Sequence, residues 1–132
     1  FTISDLMLDR GWYVQPQMSF GDMPASIHLT VCAATANHID EFLAAFSDAV
    51  AVAVASGPID IPADLAAAAQ AIDPATLDDD AFDGLLALAG LGYAGAEVSA
   101  PERMAPVNAL LNVAPPALRE ALLVAFLDRL SR

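Results

Sequence analysis

Ile3, Leu6 and Met7 recur at the i, i+3, i+4 spacing of one helical face, which predicts a short amphipathic helix over 4–10 that Gly11 ends. At Trp12 the period changes to two. Trp12, Val14 and Met18 alternate with Tyr13, Gln15 and Gln17, and Pro16 pushes that strand to an edge or a bulge. Gly21-Asp22-Met23-Pro24 reads as a turn. Ile27, Leu29 and Val31 then alternate with His28, Thr30 and Cys32 in the clearest strand of the chain. On this pattern Ile27, Leu29 and Val31 point into the core against Ile39, Phe42 and Phe46.

Helical spacing returns at Asn37, a favourable N-cap with Asp40 and Glu41 in the first turn behind it. Ile39, Phe42, Leu43, Phe46, Val50 and Val54 trace one face to about Ala55, and Gly57-Pro58 stops the helix. An alanine-rich helix opens at Asp60 or Pro62 and ends near Ile72, and Asp73-Pro74 is a new start signal. Asp79 or Asp80 caps a further helix with Phe82, Leu85, Leu86 and Ala89 on one side, and Gly90, Gly92 and Gly95 mark a loop. Pro106 starts a short helix through Leu111. Pro115-Pro116 opens the last one, whose stripe of Leu118, Leu122, Ala125, Phe126 and Leu130 is widened by Leu123 and Leu127. The order predicts an α+β fold: a small antiparallel sheet covered on one face by helices, with a mainly helical C-terminal half.

At 132 residues the chain fits one domain, 1–132. Alanine accounts for 29 residues, so the composition leans helical while each buried side chain contributes little area. Seventeen acids face five arginines and no lysine, and no basic side chain lies between Arg10 and Arg103. A nucleic-acid site needs a basic stripe to release counterions, so this balance argues against nucleic acid and against an anionic membrane surface. The acidic stretch reads as a solvated helix face. No run approaches the ~20 apolar residues of a membrane span. No basic start followed by an apolar run is read, so neither a signal peptide nor a location other than the cytoplasm is expected. The chain opens at Phe1 rather than methionine, which suggests that something has been removed upstream.

Candidate chemistry is sparse. Cys32 is the only cysteine, which excludes an internal disulfide, and a strand interior beside Val31 and Ala33 disfavours its thiolate. His28 and Cys32 share a strand face, yet four residues of extended chain separate them by roughly 13 Å, too far to hold one ion. Asp78-Asp79-Asp80-Ala81-Phe82-Asp83-Gly84 fails as a calcium loop, because its fifth position is Phe82 and its twelfth Ala89. No glycine-rich phosphate loop follows a strand. The expectation is therefore no catalytic, cofactor-binding or metal-binding residue in this chain.

Four segments in order resemble the end of the sphingosine-1-phosphate lyase family: Ile3-Ser4-Asp5-Leu6-Met7 with Arg10-Gly11-Trp12; Pro24-Ala25-Ser26-Ile27-His28-Leu29-Thr30-Val31; Phe42-Leu43; and Arg103-Met104-Ala105 with Phe126-Leu127-Asp128-Arg129-Leu130. The stretch from Pro58 to Glu97 does not match and is expected to be a helical insertion. The resemblance implies a fold-type I enzyme, dependent on pyridoxal 5'-phosphate, whose cofactor is held by a lysine of a large domain. Within it this chain would be the small C-terminal domain, packed on that large domain, in a protein expected to be a homodimer. With no lysine here, no cofactor-linking residue carries over. The chain alone would be inactive, its work being to complete the active-site cleft. Tyr13, Gln15 and His28 lie on or near the sheet that would face the large domain. The related amino-acid decarboxylases share this arrangement and are the nearest alternative. A free-standing α+β binding or oligomerisation module is the alternative from another class.

Overall fold

Phe1 starts a helix, α1 (Thr2–Leu8), that begins and ends two residues ahead of the predicted bounds. A computed structural model describes residues 1–88, 92–94, 97–99 and 103–130, with side chains over 1–85 and 103–128. Its contacts divide the chain into two compact units, Phe1–Asp60 and Ile61–Arg132.

In the first unit α1 ends at Leu8 with Asp9 as its C-cap, and Gly11, in the turn beyond, takes φ +80°, a conformation that carries no penalty for a residue without Cβ. The Arg10 guanidinium donates to the Leu6 carbonyl at 2.7 Å, placing a cation at the helix C-terminus. The Trp12 N–H, donated to the Met7 carbonyl, turns the chain toward β1 (Gln15–Gln17). That strand pairs antiparallel with β2 (Ser26–His28), in the register Gln15 with His28, Pro16 with Ile27 and Gln17 with Ser26. The chain then leaves the sheet. Thr35 donates its N–H to the Cys32 carbonyl at 3.0 Å, and a 3-10 turn, Ala36–His38, leads into α2 (Ile39–Ser56). Gly57, at φ +74°, closes α2 as its C-cap.

Met7, Val14 and Ala49 form the centre of this unit, with Ile3, Leu6, Trp12, Ile27, Phe42, Ala45 and Phe46 packed around them. Trp12 meets Phe42 edge-on at 5.3 Å between ring centroids, and Phe42 stacks on Phe46 at 5.8 Å. The predicted α+β layout, a two-stranded antiparallel sheet against helices, is present.

Both strands are shorter than the alternation predicts. Only Ile27 of the expected inward face reaches the core, whereas Leu29 and Val31 are exposed, at 43% and 73%. The reason is topological: beyond His28 there is no strand partner, so the period-two pattern has nothing to hold it extended. The N-cap of α2 differs too. The helix starts at Ile39 behind the 3-10 turn, and His38 in the cap position makes no side-chain capping bond.

In the second unit α3 (Ala63–Ala71) follows Pro62, and Asp73 Oδ1 accepts the Ala75 N–H to start a 3-10 turn, Pro74–Thr76. α4 (Asp79–Leu88) is capped by Asp78, whose Oδ1 accepts the Ala81 N–H at 2.8 Å, not by Asp79 or Asp80. A hairpin not foreseen from the sequence joins β3 (Gly92–Ala94) to β4 (Glu97–Ser99). Gly92 opens β3, while Gly90 and Gly95 of the predicted loop lie outside the described residues.

α5 (Ala105–Val113) and α6 (Pro116–Leu130) are joined through Ala114 and Pro115, the former extended at ψ 148°. Ala69, Ala114 and Leu118 are buried together, flanked by Ile72, Leu110 and Leu122. Among the described residues of this alanine-rich unit, Phe82 and Leu118 are the largest side chains that are almost wholly buried.

Candidate docking surface

The histidines, the thiol and the carboxylates among the described residues do not gather into a reactive cluster. Among the described residues no group of three or more His, Cys, Asp and Glu side chains could share a metal ion. His28 stands exposed at the edge of β2 opposite Gln15, and Tyr13 is exposed beside them. His38 Nδ1 lies 3.3 Å from Glu41 Oε2 on the surface. The run from Asp78 to Gly84 forms the start of α4, with Asp78 spent on capping.

Cys32 lies outside the strand that was expected to hold it. It is exposed, in the turn that Thr35 closes, and its thiol is held below the usual cysteine value. The main cause is the backbone N–H of Thr35, followed by that of Ala34 and then the Thr35 hydroxyl, all stabilising the thiolate. The expected suppression of the thiolate is thus reversed, because a turn aims N–H groups at the sulfur where a strand would have aimed them at a neighbour.

What the fold does assemble is apolar surface. On α2 the side facing α1 and the sheet is filled by Phe42, Ala45, Phe46 and Ala49. Ile39, Leu43 and Val54 fall on the adjoining edge of the same helix and are exposed, Val54 at 77%. Tyr13, Phe20, Met23, Leu29 and Val31 are exposed on the same unit. Scattered apolar side chains on a surface are ordinary. Three of them lie along one helix edge beside its own core stripe, Leu43 and Val54 roughly 16 Å apart along the axis at 1.5 Å per residue.

The sequence carried a signal for this face. Six apolar residues on α2 span a wider arc than the flanking elements of a 60-residue unit can bury. Read as core, the excess was misassigned. The same correction applies to Leu123 and Leu127 of α6, expected to widen its buried stripe and found 58% and 55% exposed.

No described helix is long and apolar enough to cross a membrane. A family model described as "Pyridoxal-dependent enzyme, C-terminal putative HTH domain" matches residues 63–129, just over half of the chain. The match runs from the start of α3 almost to the end of α6 and includes 63–97. No curated protein and no solved structure matches the chain.

Proposed function

This chain belongs to the family of C-terminal domains of pyridoxal-dependent enzymes, and from that premise we propose that it is the docking domain of a carbon–carbon lyase of the sphingosine-1-phosphate lyase type. The observation that carries the docking role is the exposed apolar edge of α2, Ile39, Leu43 and Val54, beside a core that is already filled. Covered by the large domain of the same enzyme, that edge would be buried, and Tyr13, Gln15 and His28 would stand near the wall of the cleft.

Pyridoxal phosphate supplies an electron sink for the bond-breaking chemistry of such an enzyme. The residues here do not fit its attachment, because a Schiff base needs a primary amine on a side chain and the chain has no lysine. No catalytic step is assigned to this chain. Its part is to complete the cleft, in a parent we take to be a cytoplasmic homodimer.

A nucleic-acid role for the helix-turn-helix region is not favoured. Residues 1–60 hold seven acids against one arginine, and residues 61–132 hold ten against four, so each unit carries a net −6. Phosphate contacts draw on clustered cations, which neither unit supplies.

The choice of lyase over decarboxylase draws on Ile27-His28-Leu29-Thr30, a segment that resembles the lyase type where decarboxylase relatives tend to carry arginine. Supplying the parent enzyme with a phosphorylated long-chain amino alcohol and, separately, with a panel of amino acids tests it. Aldehyde release from the amino alcohol is expected. Carbon dioxide from an amino acid without that aldehyde would assign the parent to the decarboxylases.

A further inference from the structure

We draw no further inference here: the strongest candidate, the exposed apolar patch of Leu123, Val124 and Leu127 on the outer face of α6, carries nothing because nothing in the structure shows what covers it.

Discussion

Ser4 sits on the inner side of α1 with its hydroxyl oxygen buried and without a hydrogen-bond partner. A buried hydroxyl left unpaired costs about 1–3 kcal/mol of desolvation, and alanine is the better helix former. Ser4→Ala should therefore be neutral or stabilising by up to ~2 kcal/mol in a urea melt. A loss of more than ~1 kcal/mol would show that the hydroxyl makes a bond that matters. Cys32 is the other residue whose surroundings set its behaviour. The N–H groups of Thr35 and Ala34 stabilise its thiolate, so alkylation by iodoacetamide should reach half its plateau at a lower pH than for free cysteine. A midpoint at or above the free value contradicts the turn geometry. The sign for stability follows. A thiol whose folded pKa is depressed stabilises the fold above its unfolded value, and that contribution is lost as pH falls through the folded one. Full exposure of the sulfur keeps the effect small.

Helices were legible in the sequence because their spacing is a local property. Asp40 and Glu41 entered the first turn of α2, Gly57 ended it, and the proline-opened α6 began where Pro115-Pro116 placed it. Strand length was not legible, because it depends on a partner elsewhere in the chain. Ile27 has Pro16 opposite it in the ladder, whereas Leu29 and Val31 have no strand to pair with and turn outward. The β3–β4 hairpin was missed for a related reason: Gly92 and Gly95 disguise two three-residue strands as a loop. Surface and core were confused wherever an apolar arc exceeded what the fold could cover, as at Leu43 and Leu123. A pair of substitutions measures the correction. Ile27→Ala should cost about 2–4 kcal/mol, as for a packed aliphatic side chain. Leu29→Ala, at a position 43% exposed, should cost less than ~1 kcal/mol. Equal costs in denaturant melts would return Leu29 to the core.

Across the whole chain, two units of equal net charge each keep a small core and leave apolar helix surface outside it. A matched family of enzyme C-terminal domains, a chain without lysine and a filled core beside an open apolar edge are consistent with a part whose work is contact. α2 offers Ile39, Leu43 and Val54 as an extension of its own core stripe, suited to a broad domain contact. Docking on the large domain should bury the α2 edge and slow local opening of that helix. Hydrogen exchange compares this directly, by following peptides from 39–54 in the isolated chain and in the parent enzyme. The account predicts that these amides exchange at least about tenfold more slowly in the parent, equivalent to ~1.4 kcal/mol of added protection, and gain more than those of α4. Equal exchange of 39–54 in the two proteins would contradict it.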